Sequence, residues 1–154
     1  MANNVEYDYN SFGDFANYVM QTDVLMQTLT VKETLMFAAD LRLNRTDEEK
    51  LERVMELARS MKLDKCLDTM VCGAIVKGIS GGEKKRTSIA FELISDPQVI
   101  MLDEPTSGLD SLTSFVIIDY LKKLASEEGR TILMTIHQPS MDIYNKFNRI
   151  FLMV

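Results

Sequence analysis

Two adjacent carboxylates follow a short apolar segment in the second half of the sequence. Val99–Leu102 is wholly apolar and runs directly into Asp103 and Glu104. Because side chains alternate along a strand, we expect the two carboxylates to point in different directions and to take different roles. An aspartate at such a position can help to hold Mg²⁺, and a glutamate can polarise an attacking water. A strand that ends in a solvated acidic turn is the alternative interpretation.

The only histidine follows the next apolar segment. Residues 131 to 136 are predicted to form a strand, and His137 comes directly after it. Ligands of open parallel sheets bind beyond the carboxyl ends of the strands, so His137 is expected at the same edge as Asp103 and Glu104. An imidazole there could hydrogen-bond a γ-phosphate or fix the attacking water. A histidine with a purely structural hydrogen bond is the alternative.

The segment Ser80-Gly81-Gly82-Glu83 has the S/T-x-x-E form of a capping box, which predicts a helix N-terminus. Such an end presents free N–H groups and the positive pole of the helix dipole, and glycine lets a phosphate approach the backbone. The segment is thus a candidate anion site. An ordinary N-cap followed by two flexible glycines explains the same residues.

The elements that position these residues differ between the two halves of the chain. In the first half we predict a strand over residues 16–20, a polar turn over 21–23, and helices that begin at the capping boxes of Thr30, Thr46 and Ser80. The second of these helices is predicted to bury one face, made of Leu51, Val54, Met55, Ala58 and Met61. The third ends before Pro97, and residues 64–79 are less regular.

Beyond Pro97, apolar strands alternate with helices, which indicates an α/β fold with a parallel sheet covered on both faces. The predicted strands are 99–102, 131–136 and 150–154, and the predicted helices are 111–124 and a short one after Ser140. We therefore expect a helical subdomain over about residues 24–96 and an α/β core over about residues 97–154.

Composition limits the classes of function. The 154 residues carry a formal charge of −6, which disfavours nucleic acid as a partner. No apolar run approaches the roughly 18 residues that cross a bilayer, and the first twenty residues lack the basic character of a targeting segment. Cys66 and Cys72 are interpreted as ordinary thiols of a reducing compartment. Lys84, Lys85 and Arg86 are interpreted as a solvated helix face.

In combination, these segments resemble the nucleotide-binding domain of ATP-binding-cassette (ABC) transporters from about residue 16 to residue 154. The segment Ile79 to Arg86 resembles the signature motif, and Val99 to Pro105 resembles the Walker B motif. Ser107-Gly108-Leu109-Asp110 resembles the D-loop, His137 the switch histidine, and Gln21 the Q-loop glutamine. The fold implied is a partial P-loop NTPase (ABC ATPase) fold, with a parallel sheet core and a helical signature subdomain.

The resemblance implies ATP and Mg²⁺ as ligands and a second nucleotide-binding domain, identical or different, as partner. Asp103 and Gln21 would hold Mg²⁺, and Glu104, His137 and Gln21 would serve hydrolysis. The remaining cofactor-binding residues would be Ser80, Gly81, Gly82, Glu83 and Asp110. In the family, Ser80, Gly81 and Gly82 would contact the γ-phosphate of ATP that is bound to the partner.

Two departures from the commonest family pattern indicate the subfamily. Glu83 stands where most of the family has Gln, and Ile79 where most has Leu. Both, together with the residues around Gln21, resemble the G subfamily of white/brown-type half-transporters. That resemblance implies a transmembrane domain as a further partner, a place on the cytosolic face of a membrane, and lipid-like or hydrophobic substrates.

The sequence contains no G-x-x-x-x-G-K-[ST] phosphate loop. The nearest segment, residues 73–78, has the glycine spacing without the lysine, and we reject it. In the family this loop precedes the Q-loop, so the chain is expected to be truncated before it and inactive by itself. The alternative function is a non-catalytic cassette that completes or regulates a partner's ATP site. A soluble cassette ATPase acting on DNA or ribosomes is disfavoured by the acidic balance and by the short spacing between Gln21 and Ser80.

Overall fold

The computed structural model describes residues 12–72 and 78–152 of the chain. In this part the chain forms helices and strands in a mixed order, with a short 3-10 helix at Asp64–Cys66. The α-helices are α1 (Phe12–Phe15), α2 (Val31–Arg42), α3 (Asp47–Ser60), α4 (Gly81–Leu93), α5 (Ser111–Glu127) and α6 (Met141–Tyr144). The strands are β1 (Ala16–Val19), β2 (Val99–Leu102) and β3 (Thr131–Met134).

The three strands form one parallel sheet in the order β1-β2-β3, which confirms the predicted parallel core. The register places Val19, Leu102 and Met134 side by side at the carboxyl ends of the strands. Three of the helices, α2, α3 and α4, lie between β1 and β2 in the chain and share one hydrophobic core with the sheet and α5. The predicted boundaries of the subdomains, 24–96 and 97–154, stay a prediction.

The helices of the first half begin where the capping boxes predict. The side-chain oxygens of Thr30, Thr46 and Ser80 each accept the backbone N–H of the glutamate three residues later, and that glutamate accepts the backbone N–H of the cap residue. Each box satisfies donors that would otherwise be free at a helix N-terminus. Local chemistry alone therefore fixes these three starting points.

The buried face of α3 differs from the prediction. Leu51 is exposed, whereas Leu57, which the prediction omitted, is fully buried. The buried positions Val54, Leu57, Ala58 and Met61 follow the i, i+3, i+4, i+7 spacing of one helical stripe. Leu51 lies one turn before Val54 at the edge of that stripe, in the first turns of the helix, and is 38% exposed.

Only one face of the sheet is fully covered in the described residues, although the sequence predicts cover on both. Ile100 and Leu102 of β2 are buried in the core with α5, while Tyr18 and Leu133, which lie on the other face, are 49% and 59% exposed. The prediction of two covered faces is wrong for this part of the chain, because α4 and α5 both contribute to the core on the same face of the sheet.

The strand ends also differ from the prediction. β1 ends at Val19 and β3 at Met134, earlier than the predicted Met20 and Ile136. Residues 150–152 form no strand: Phe151 and Leu152 are more than four-fifths exposed, and no described strand pairs with them. Residues 153–154 of that predicted strand, and residues 73–77 of the rejected glycine segment, lie outside the described part.

Candidate functional site

The chemistry-bearing residues meet at the carboxyl edge of the sheet. Since Val19, Leu102 and Met134 are in register, the residues that follow them leave the sheet side by side. The backbone N–H of Asp103 donates to the carbonyl of Val19, and that of Thr135 donates to the carbonyl of Leu102, at 2.9 and 3.0 Å. These bonds continue the sheet by one step and fix where the next side chains begin.

Asp103 is held by two hydroxyl groups. Thr135 Oγ1 donates to one carboxylate oxygen at 2.7 Å, and the Tyr18 hydroxyl donates to the other at 3.3 Å. Partial desolvation, the negative charge of Asp103 and this hydrogen bond raise the pKa of Tyr18 above its ordinary value. A residue of β1 and the residue that follows β3 thus orient the same carboxylate.

Glu104 has a different side-chain partner from Asp103. Its backbone has a φ of 43°, in the left-handed region that non-glycine residues rarely adopt. The side-chain amide of Gln21 donates to its carboxylate at 2.8 Å, and its own backbone N–H donates to Thr135 Oγ1 at 3.0 Å. A strained backbone at the end of a strand is common where a side chain must be aimed at a ligand.

Glu104 and His137 line one open cleft of about 400 Å³, together with Thr106, Ser107 and Gly108. His137 is exposed, and the next residue, Gln138, has a positive φ of 47° like Glu104. Gly108 has a φ of 69°, which glycine adopts without strain. The structure therefore brings the predicted base, the predicted switch histidine and the D-loop glycine to one space.

The signature segment begins α4, where Ser80 and Glu83 are engaged with each other. The Ser80 hydroxyl donates to the Glu83 carboxylate, and the Ser80 backbone N–H does so as well, both at 2.8 Å. These two bonds hold the pKa of Glu83 below its ordinary value. Glu83 therefore carries a structural role in this arrangement, whether or not it also meets a nucleotide.

The two glycines of this segment have different surroundings. A Cβ at Gly81 would meet nothing within 4 Å, which leaves room for a ligand at that position. A Cβ at Gly82 would meet Thr113 Cγ2 at 2.9 Å and Thr113 Oγ1 at 3.1 Å. Close packing of α4 against α5 thus accounts for a glycine at position 82 without a phosphate.

Asp110 is the N-cap of α5. Its carboxylate accepts the backbone N–H of Thr113 at 2.9 Å and the Thr113 hydroxyl at 2.8 Å, and these bonds lower the pKa of Asp110. The structure places Asp110 beside the signature helix through Thr113, which also accepts a bond from Arg86 at 3.4 Å. A direct role of Asp110 in nucleotide binding stays a prediction.

Lys85 does not belong to a solvated face, and that prediction is wrong. Its side chain is 5% exposed, and its ammonium lies 2.8 Å from the carboxylate of Asp23. It also donates to the carbonyl oxygens of Gln21 and Met20, at 2.7 and 3.4 Å. The reason is that α4 packs on β1 with this side inward, so the signature helix meets the Q-loop.

Sequence reasoning missed four residues of this site: Tyr18, Asp23, Thr113 and Thr135. Each acts through a hydroxyl or carboxylate whose partner is distant in the chain or appears only after folding. For Thr135 a signal was present, since it follows the β3 segment directly and so lies at the edge where Asp103 was expected. Thr113 lies three residues after Asp110, whose carboxylate it bonds, but nothing local marks its contact with Arg86 or the contacts of Tyr18 and Asp23.

Magnesium and phosphate both fit the chemistry of these residues. Mg²⁺ prefers oxygen ligands and commonly takes one or two protein carboxylates together with water and phosphate oxygens. The carboxylate of Asp103 and the side-chain oxygen of Gln21 are donors of that type. The described residues contain no cluster of three or more His, Cys, Asp or Glu side chains that could hold a metal ion without such help.

A search of solved structures finds the same architecture. The chain matches the solved "Dimeric structure of a post-hydrolysis state of the ATP-binding cassette MJ0796 bound to ADP and Pi" with a TM-score of 0.73 and 25% identity, over 92% of this chain and 61% of that one. The fold is therefore the α/β fold of an ABC ATPase.

The family model for "ABC transporter" matches residues 2–107, which include Gln21, the signature segment, Asp103 and Glu104. The chain belongs to the ABC transporter family. The resemblance that the motifs indicate is confirmed.

Curated relatives are members of the G family. The chain is 49% identical over 150 residues to "ABC transporter G family member 1" of Dictyostelium discoideum. The aligned region covers 95% of this chain and 19% of the relative. It is 47% identical to "ABC transporter G family member 5" of Arabidopsis thaliana, over 95% of this chain and 22% of that protein. It is 48% identical to "Broad substrate specificity ATP-binding cassette transporter ABCG2" of Bos taurus, over 90% of this chain and 21% of that protein.

The chain thus spans about a fifth of the length of these relatives. Within residues 12–72 and 78–152, none of the helices combines the length and apolar character that a bilayer crossing needs.

Proposed function

We propose that this chain hydrolyses ATP as the cassette of a G-type membrane transporter, with its phosphate loop supplied by residues outside these 154. The observation that supports this most is the pairing of Glu104 with Gln21 at 2.8 Å, at the cleft that Glu104 shares with His137. A carboxylate, an amide and an imidazole grouped in this way can position and deprotonate a water.

In this proposal the residues divide the work as follows. Glu104 accepts the proton of the attacking water, while the Gln21 amide holds the carboxylate in place. His137 donates a hydrogen bond toward the γ-phosphate side of the cleft. Asp103, oriented by Tyr18 and Thr135, would hold Mg²⁺ together with Gln21. When bound, Mg²⁺ neutralises charge on the phosphate oxygens.

The signature segment serves a second nucleotide site. The open space at Gly81, at the N-terminus of α4, fits a phosphate of ATP held by a partner cassette. Ser80, Gly81 and Gly82 would contact this phosphate, Gly81 and Gly82 through their backbone N–H groups, because the backbone N–H of Ser80 is engaged by Glu83. Glu83 and Asp110 keep the two helix ends in place. The partners we propose are a second nucleotide-binding domain and a transmembrane domain, on the cytosolic face of a membrane. The proposed cargo is a lipid-like or hydrophobic molecule.

Variants of the full-length protein that carries this sequence test the proposal. Glu104→Gln is expected to keep Mg-ATP binding and to lower the rate of hydrolysis by at least about 100-fold, because an amide cannot accept the proton. Asp103→Asn is expected to weaken Mg-ATP binding itself. The matched control is Glu127→Gln, at an exposed glutamate at the end of α5, which should leave both unchanged. Unchanged turnover in Glu104→Gln would remove Glu104 from the role of base.

A second candidate function is a non-catalytic cassette that completes a partner's ATP site. The absence of a phosphate-loop lysine from these 154 residues, together with the open position at Gly81, favours it for the chain by itself. We expect the 154-residue chain to bind Mg-ATP very weakly and not to hydrolyse it. Equilibrium binding of labelled ATP measures this, and tight binding that Asp103→Asn abolishes would contradict the expectation.

A further inference from the structure

A lysine of the signature helix reaches the Q-loop. Lys85 lies on α4, and its ammonium is surrounded by three oxygen atoms, all from residues 20–23: the carbonyls of Met20 and Gln21 and the carboxylate of Asp23. Two of the three N–H donors of the ammonium reach the carbonyl oxygens of Met20 and Gln21, and the carboxylate of Asp23 adds an ion pair. Residues 20–23 belong to neither a helix nor a strand, and this side chain of α4 therefore binds an irregular segment through two backbone carbonyls and one carboxylate.

Burial makes these contacts unusual for a lysine. The Lys85 side chain is 5% exposed and that of Asp23 is 14% exposed. Removing two charges from water is costly, and replacing a buried ion pair by apolar residues is often neutral or stabilising. The pair is therefore weak support for a purely stabilising role. Its geometry instead defines the position of one backbone carbonyl, that of Gln21.

The same residue, Gln21, carries the side chain that meets Glu104. Its carbonyl accepts from Lys85 at 2.7 Å, and its side-chain amide donates to Glu104 at 2.8 Å. The backbone that Lys85 holds thus determines where the amide begins. A short chain of contacts runs from α4 through Gln21 to the predicted base.

We propose that Lys85, with Asp23, is a positioning residue that fixes Gln21 so that its amide meets Glu104. This inference rests on the proposed function for its kinetic consequence. In that function, the start of α4 contacts ATP bound to the partner cassette, and Glu104 acts on ATP bound to its own cassette. Lys85 therefore links the two sites within one subunit.

The first test needs no nucleotide and uses the 154-residue chain. The sequence has four glutamines, so selective ¹⁵N labelling of glutamine gives four side-chain amide signals, and Gln21→Ala identifies the signal of Gln21 by its loss. The double variant Lys85→Met/Asp23→Asn removes the clamp without leaving a buried charge unpaired. The signal of Gln21 is expected to move toward that of a solvated glutamine in this variant and in Lys85→Met.

A matched control exists in the helical part of the chain. Lys50 is also largely buried, with a side chain that is 13% exposed. It lies away from the site and donates to the carboxylate of Asp40 at a distance of 2.9 Å. Lys50→Met should leave the Gln21 signal in place. If the signal also stays in place in the folded double variant, the proposal is wrong.

The second test is kinetic and uses the full-length protein. Lys85→Met is expected to lower kcat for ATP hydrolysis by about 10- to 100-fold, in the range that loss of a supporting contact costs. In a Gln21→Ala background, Lys85→Met should lower kcat by less than about threefold, because Lys85 acts through Gln21. If Lys85 had only a structural role, Lys85→Met would lower kcat by the same factor in the wild-type and Gln21→Ala backgrounds, and that result overturns the proposal.

The two tests separate the two ideas. If the wild-type protein hydrolyses ATP and Lys85→Met does so at the same rate, the positioning role is rejected and the proposed function stands. If Lys85→Met shifts the Gln21 signal but the wild-type protein hydrolyses no ATP, the proposed function is rejected and the Lys85–Gln21 contact is confirmed.

Discussion

The hydroxyl of Thr135 joins the carboxylate of Asp103 to the backbone of Glu104 at the end of β2. It donates to Asp103 at 2.7 Å and accepts the backbone N–H of Glu104 at 3.0 Å. A single side chain of the neighbouring chain segment thus orients the proposed metal ligand and anchors the strained backbone that aims the proposed base. Mutation of a residue that orients a metal ligand typically lowers metal affinity by about 10- to 100-fold.

Replacing Thr135 should therefore weaken Mg²⁺ binding. Thr135→Val keeps the shape of the side chain and removes both hydrogen bonds. In the full-length protein we expect the Mg²⁺ concentration that supports half-maximal ATP hydrolysis to rise by about 10- to 100-fold. A titration of hydrolysis rate against Mg²⁺ at saturating ATP measures this.

A control for this prediction lies on β3, the strand that Thr135 directly follows. Thr131 is exposed, and its side chain forms no hydrogen bond with the described residues. Thr131→Val should therefore leave the Mg²⁺ requirement unchanged. An unchanged requirement in Thr135→Val would show that Asp103 does not depend on this hydroxyl.

Acid should weaken the start of α4 through Glu83. The backbone N–H and hydroxyl of Ser80 lower the pKa of Glu83 in the folded chain below its value in the unfolded chain. The stabilisation is therefore fully present above the unfolded pKa of about 4.3 and is lost as the pH falls through the folded pKa. Glu83→Gln keeps an oxygen acceptor for the cap but does not titrate.

Urea unfolding at several pH values tests this expectation. Between about pH 5 and pH 3, the free energy of unfolding should fall less in Glu83→Gln than in the wild-type chain, by a few tenths to about 1 kcal/mol. Glu127→Gln, at an exposed glutamate without a cap partner, should follow the wild-type curve. Parallel curves for Glu83→Gln and wild type would mean that the capping box contributes no pH dependence.

What could be predicted from the sequence was local in the chain. The capping boxes of α2, α3 and α4 depend on residues three apart, and Asp103 and Glu104 directly follow their strand. The convergence of Gln21, Glu104 and His137 could be predicted because parallel strands end at one edge of a sheet and because the motifs resemble those of a known family.

What could not be predicted depends on partners far apart in the chain. Lys85 meets Gln21 from 64 residues away, and Tyr18 meets Asp103 from 85 residues away. A run of three basic residues gives no signal of which one turns inward, since that depends on how α4 packs on β1. The exposed face of the sheet was missed for a related reason: apolar strands indicate burial, but not which elements provide it.

The two cysteines should react at very different rates. Cys66 is buried, and burial, together with the nearby negative charge of Glu83, raises its pKa to about 11. Cys72 is exposed. Since the thiolate is the reactive form, we expect iodoacetamide at about pH 8 to modify Cys72 in the native chain and Cys66 only after unfolding. Intact mass measured over time checks this, with Cys72→Ser as the control that should stay unmodified.

Packing, rather than a phosphate, should explain the glycine at position 82. A Cβ there would lie 2.9 Å from Thr113 Cγ2, so Gly82→Ala is expected to lower the free energy of unfolding by about 1–3 kcal/mol. Gly81→Ala, where a Cβ meets nothing within 4 Å, should change it by less than about 0.5 kcal/mol. Urea unfolding of the two variants makes the comparison.

A second substitution identifies the contact itself. Thr113→Ser removes the Cγ2 methyl group and keeps the hydroxyl that bonds Asp110 and Arg86. If Gly82 is required because α4 and α5 approach closely, Gly82→Ala/Thr113→Ser should recover at least half of the stability that Gly82→Ala loses, beyond the effect of Thr113→Ser alone. A Gly82→Ala chain as stable as wild type, in a full-length protein that no longer binds ATP, would instead assign this glycine to the nucleotide.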